Sequence, residues 1–252
     1  MYKSLVVNGC SFFHYPWEWQ SKHRLSYNPQ ISKINPDTYN ECLSQELEKY
    51  SMGNLISNYF NINEYLNISS VGKSNESIIR DTKEHIINNN VKNSIFILGL
   101  TQESRYDIPT FTYVKNKRSI DRYTTSKFYV EPSQKKYQKI FNSKTCSLED
   151  YKKFNELRHK VYFSLQHYIE DLENDLNILN EILSFNNSKL VVINNLLDYE
   201  LDKKPYYFFI KNKYKDWRSF IKSYDALYDK GQHPNVEDHK ILAEELINYL
   251  KK

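Results

Sequence analysis

Short continuous apolar runs alternate along this chain with longer stretches whose apolar residues recur every three or four positions. Lys3 to Asn8 (KSLVVN) reads as a buried strand ending at the turn former Gly9. Residues 14–36 are irregular, with Pro16, Pro29 and Pro36. A helix is expected after Asp37, with Leu43, Leu47 and Tyr50 on one face, broken near Gly53 and resumed through Phe60. Tyr65 to Ser69 is a second strand candidate and Gly72 marks the turn after it. Ser74 is placed to cap a helix carrying Ile78, Ile79, Thr82 and Ile86. Ser94 to Leu100 (SIFILGL) is apolar on both faces, as a central parallel strand requires.

Residues 101–150 are polar and aromatic, and we read 107–150 as an insertion with room for a hairpin. From Tyr151 the apolar positions Phe154, Leu157, Val161, Leu165, Tyr168, Leu172, Leu176, Leu179 and Leu183 predict a long helix. Lys189 to Asn194 (KLVVIN) is another buried strand, and residues 199–229 are aromatic and basic without a clear period. Asn235 caps a final helix through Leu242, Leu246 and Leu250, with Asp238 placed as the acid of a capping box. Strands alternating with helices predict an α/β fold with a mainly parallel sheet, as one domain over residues 1–252.

Composition narrows the function classes. The formal net charge is +4 in 252 residues, and the excess is spread along the chain, so nucleic acid is not an expected partner. The aromatic and basic window 206–217 (YYFFIKNKYKDW) has the look of a stacking surface. At this chain's Tyr and Lys content it reads instead as a surface with Lys stems laid along it. No apolar run is long enough to span a bilayer, and no membrane association is expected. Three cysteines without paired spacing exclude a disulfide framework, and the start of the chain lacks a secretory pattern, so a cytoplasmic protein is expected. No His, Cys and Asp residues show metal-ligand spacing, and neither metal nor cofactor is expected. Asn is abundant, at 27 residues, so an isolated Asn carries little weight; Gly, at five, carries more.

Ligands of open parallel sheets bind outside the carboxyl ends of the strands. Four of the five glycines stand at such junctions: Gly9, Gly72, Gly99 and Gly231. Ser11 follows the first strand and His233 precedes the last helix, a nucleophile and base in the order such chemistry uses. Backbone N–H groups near Ser11 and Gly72, with the Asn75 amide, could hold an oxyanion. Thr101, Gln102 and Arg105 beyond the third strand, and His14 after the first, are candidate substrate contacts, with His23 a second pocket candidate in the same loop. Cys10 is read as buried, and His239, inside the final helix, as a packing residue.

In these blocks the chain resembles the SGNH (GDSL-like) hydrolases, particularly divergent phage and bacterial members. Gly9-Cys10-Ser11-Phe12 is similar to the family's first block, Asn67 to Asn75 with Ile78 and Arg80 to its second, and His233-Pro234-Asn235 with His239 and Ala243 to its last. The matches frame roughly residues 1–106 and 188–250. The resemblance implies a three-layer α/β/α sandwich on a five-stranded sheet, flavodoxin-like in outline. It implies Ser11 as nucleophile, His233 as general base, and Ser11 N–H and Gly72 N–H as oxyanion donors. Two departures stand out: Lys230 occupies the place of the usual Asp, with Asp229 one residue further back, and Thr101-Gln102 replace the third-block Asn. The expected function is esterase action on a small or carbohydrate-linked ester. The alternative is a catalytically impaired binding or structural module of the same fold. Oligomeric state is not legible in the sequence.

Overall fold

The computed structural model describes residues 2–10, 13, 47–70, 73–89, 91–101, 149, 153, 157, 165–195, 204–210, 214, 216–223 and 234–252, and the backbone alone over 105–114 and 117–127. Its centre is a parallel sheet of β1 (Ser4–Gly9), β2 (Glu64–Asn67), β3 (Ser94–Leu100) and β6 (Lys189–Asn194), in the order β2-β1-β3-β6. β1 lies between two partners, with Val7 opposite Asn67 on one side and Ile97 on the other. Its first strand signal and those of β3 and β6 agree with the chain to within one residue. These strands are legible because a strand covered on both faces is apolar at nearly every position.

Alternation sends successive side chains to opposite faces. Leu5, Val7, Ile95, Ile97, Val191 and Ile193 pack beneath α1 (Met52–Phe60), α4 (Trp217–Lys222) and α5 (Val236–Leu250). Val6, Phe96, Leu98, Leu100, Leu190 and Val192 face α2 (Asn75–Asn88) and α3 (Leu165–Phe185). Helices therefore cover both faces of the sheet. Each fully buried Leu or Ile in these two cores is worth about 1.5–3 kcal/mol over exposure.

Two expectations are corrected. The sheet has four strands among the described residues, where five were expected. The fifth lane is reduced to one parallel bridge, Val192 with Tyr207, in which Val192 N–H donates to the Tyr206 carbonyl at 2.7 Å and Phe208 N–H to the Val192 carbonyl at 2.9 Å. The 206–208 aromatics are buried here rather than spread over the surface, because they close the edge of the core. The helix break expected near Gly53 falls just before it, where helical residues 47–48 give way to a turn at residues 49–50. α1 begins at Met52 with Ser51 as its cap, and Gly53 lies in its first turn. A Cβ there would stand 2.7 Å from Tyr65 and Val7, so glycine lets the helix approach the sheet.

After β3 the chain forms an antiparallel pair, β4 (Arg105–Val114) with β5 (Lys117–Lys127), apart from the parallel sheet. It falls in the segment read as an insertion and starts two residues earlier. The helix caps follow the sequence closely. Ser74 accepts from Ser77 N–H, and Asn235 and Asp238 form the reciprocal capping box. Residues 37–46 and most of 151–164 lie outside the described residues.

Candidate active site at the carboxyl ends of the strands

β1 and β3 end side by side at Gly9 and Gly99, which are register partners. Without side chains the two leave a hollow, and Phe13 fills it. A Cβ on Gly99 would come within 2.5 Å of the Phe13 ring and would also meet the Asn195 amide nitrogen; one on Gly9 would come within 3.0 Å of the Phe13 Cβ. Phe13 is anchored by its own backbone. Its N–H donates to the Cys10 carbonyl at 2.9 Å, and its carbonyl accepts from Asn67 Nδ2 at 3.1 Å. The ring is stacked edge-on with Trp217 at 5.6 Å, and Trp217 with His239 at 5.2 Å. An aromatic pile of Phe13, Trp217 and His239 thus stands at the ends of β1 and β3.

The loop after β2 is tied from below. Ser70 N–H donates to the Gly9 carbonyl at 3.1 Å, and Ser69 N–H to Asn67 Oδ1 at 3.0 Å. Lys73 turns its ammonium inward, to Asn8 Oδ1 at 2.9 Å, the Ile68 carbonyl at 2.5 Å and Asp81 at 2.7 Å. Asn8 in turn donates to the Ile78 carbonyl and to Thr82, both at 2.9 Å. This network joins the end of β1, the β2 loop and α2, and holds Ser70 and Lys73.

Asn75 and Thr101 are brought together. The Asn75 amide donates to the Thr101 carbonyl at 3.0 Å and to Tyr168 Oη at 2.7 Å, and its oxygen accepts from Thr101 N–H at 2.8 Å. The amide therefore mimics a strand partner for the last residue of the β3 lane. Both of its hydrogens are occupied, so it reaches an oxyanion only by giving up the Tyr168 bond.

Buried polar atoms without a hydrogen-bond partner among the described residues include the Ser69 and Thr101 hydroxyls, both amide atoms of Asn195, and His239 Nε2. Asn195 follows β6 directly, with its N–H on the Leu100 carbonyl at 3.1 Å. His239 Nδ1 accepts from Met52 N–H at 3.1 Å, which puts the ring proton on Nε2. Complete burial pushes the imidazole down to about 3, so the ring is neutral throughout the physiological range. Its packing role matches the expectation from sequence.

Ser11, His14, His23, Gly72, Gln102, Asp229 and His233 lie outside the described residues, and Arg105 is described only as the first residue of β4. Cys10 is buried, as expected. Sequence reasoning passed over Asn195, Lys73 and Phe13. The strand-end rule applied to KLVVIN-Asn195 as much as to the other junctions, but the abundance of Asn hid it. No group of His, Cys, Asp and Glu among the described residues could hold a metal. No helix among them is long and apolar enough to cross a membrane.

No family model matches the chain, and no curated protein matches it. Among solved structures it is similar to a carbohydrate esterase whose active site displays divergent catalytic and non-catalytic binding functions. There the identity is 12% and the TM-score 0.43, over 99% of this chain and 64% of that one. It is also similar to a carbohydrate esterase family 2 enzyme with a carbohydrate binding domain from Myceliophthora fergusii, at 10% identity and a TM-score of 0.42, over 98% of this chain and 65% of that one. The chain thus spans slightly less than two thirds of the length of each.

Proposed function

We propose that residues 1–252 form one SGNH-type domain, a cytoplasmic serine esterase that cleaves a small or carbohydrate-linked ester through an acyl-enzyme. The observation that supports the reading is that the three strands leading into the first three motif-bearing segments are neighbours in one parallel sheet. The chain enters the Ser11 segment from β1, the Gly72 segment from β2 and the Thr101 segment from β3, three adjacent strands. The His233 segment leads into α5, which covers the same sheet face as Gly9 and Phe13.

In this mechanism Ser11 Oγ attacks the ester carbon while His233 takes its proton. Ser11 N–H and Gly72 N–H receive the charge on the acyl oxygen, with Asn75 a further donor if Tyr168 releases it. The alcohol leaves with the proton from His233, and a water activated by the same imidazole then frees the acid. Asp229 holds the other ring nitrogen in place of the acid that Lys230 displaces. Thr101, Gln102, Arg105 and His14 line the substrate side. No cofactor is required.

Labelling with a fluorophosphonate, read by intact mass and peptide mapping, tests the reading. One adduct on Ser11, absent from Ser11→Ala and strongly reduced in His233→Ala, is expected. Absence of any adduct on folded protein with Ser11 accessible to solvent would instead favour the non-catalytic binding module, which Lys230 and the missing third-block Asn also favour.

A further inference from the structure

The outer face of the α2–α3 layer sets exposed apolar side chains in a one-sided acidic surface. Phe185 is 90% exposed and Ile87 78%, and Ile178 and Ile182 are exposed as well. α2 and α3 cover the same face of the parallel sheet, and they lead into β3 and β6, which are neighbours, so the two helices run side by side in one direction. Lys83 Nζ meets Asp175 Oδ1 at 2.6 Å and sets their register. Ile87 stands one turn beyond Lys83, and Ile178 and Ile182 one and two turns beyond Asp175. The helical period thus gathers these three along the groove between the helices, with Phe185 a further turn on. Exposed apolar groups gathered in this way mark a surface on which something docks.

The charge around the patch is all of one sign. α3 holds five carboxylates and no Lys or Arg in its 21 residues, although the chain has 35 Lys and Arg. In α2, Lys83 is engaged by Asp175 and Arg80 by Asp81 at 3.6 Å. Glu84, one turn before Ile87, and Glu181, one turn after Ile178, are both exposed. Both helices also end here, so the negative ends of their dipoles face the patch, and α3 has no basic residue in its last turn. The helix ends lie toward the starts of β3 and β6, at the opposite edge of the sheet from the candidate active site.

We infer that this patch docks a basic amphipathic helix of another protein, with its apolar stripe along the α2–α3 groove and its Lys or Arg flanks against Glu84 and Glu181. A second copy of this chain is the poorer occupant. A two-fold contact brings the same surface of each molecule together and would set these carboxylates against one another. The surface is separate from the esterase chemistry and stands whether or not that reading does.

The test titrates the whole protein into a fluorescein-labelled peptide of Lys and Leu in amphipathic helical order, read by anisotropy, with a Glu and Leu peptide of the same order as control. Saturable binding of the Lys peptide that weakens with added salt is expected, with little binding of the Glu peptide. Ile178→Gln with Phe185→Gln, and separately Glu84→Lys with Glu181→Lys, should each weaken it by at least about tenfold at unchanged Tm, since all four side chains are exposed. No saturable binding, wild-type affinity in either double variant, or equal binding of the Glu peptide would overturn the inference. Sedimentation that shows a wild-type dimer, dissociated by the Gln substitutions, would overturn it in favour of a second copy.

Discussion

His239 makes the stability of this protein depend on pH in a way that can be worked out in advance. Its imidazole is completely buried, lies edge-on to Trp217 and accepts a hydrogen bond from Met52 N–H. Protonation would destroy that acceptor and place a charge in the core, and burial lowers the pKa from 6.5 to about 3. Between those values the unfolded chain binds a proton that the folded chain refuses. Folding stability is therefore complete above about pH 6.5 and is lost as pH falls toward 3. The loss is about 1.4 kcal/mol per pH unit within that window, or about 2 kcal/mol between pH 7 and pH 5. The control is His239→Asn, whose Oδ1 can take the place of Nδ1 and which does not titrate. Urea denaturation at both pH values gives the drop for each protein. The variant is expected to be less stable at every pH because it leaves a cavity, but that offset cancels in the comparison. Carboxylate titrations common to both proteins cancel as well. A wild-type drop exceeding the variant's by about 2 kcal/mol is expected; equal drops would refute the argument that this ring is buried neutral.

Two further perturbations address the site's scaffold. Gly99→Ala should destabilise the protein by about 1–3 kcal/mol in denaturant melts, because the added methyl meets the Phe13 ring and the Asn195 amide. It should also slow fluorophosphonate labelling, whereas labelling at the wild-type rate would show that Phe13 does not set the Ser11 segment. Lys73→Met keeps the stem and removes the ammonium from Asn8, the Ile68 carbonyl and Asp81, for an expected loss of about 1–3 kcal/mol in urea melts. A neutral result would mean that the desolvation of Lys73 cancels its bonds.

The elements legible in the sequence share a physical reason. β1, β3 and β6 are covered on both faces and therefore continuously apolar, and the caps at Ser74 and Asn235 are set by the few residues around them. What escaped depends on distant chain. The edge lane at Tyr207 is defined by one bridge to Val192, and no local pattern signals a single paired residue. The break before Gly53 was legible, but the reason for glycine there, the approach of Tyr65 and Val7, comes from two strands. At the site, sequence order selected the junctions after β1, β2 and β3. It could not separate Asn195 from 26 other asparagines, nor foresee that the Asn75 amide would be committed to Thr101 and Tyr168.

The single bridge beside β6 also bears on how this chain behaves among copies of itself. An edge strand with free backbone groups is a template on which another molecule's strand can grow. On the β6 side, an incoming strand would have to strip the Tyr206–Phe208 segment from both backbone groups of Val192 before pairing there. Lys189, at the start of that strand, lies with its ammonium over the Tyr249 ring, adding a charge to the same edge. The opposite edge is β2, four residues long with the exposed carboxylate of Glu64 at its start. A short charged strand on one side and a stapled one on the other resist strand addition at either edge of the parallel sheet, without a full fifth strand.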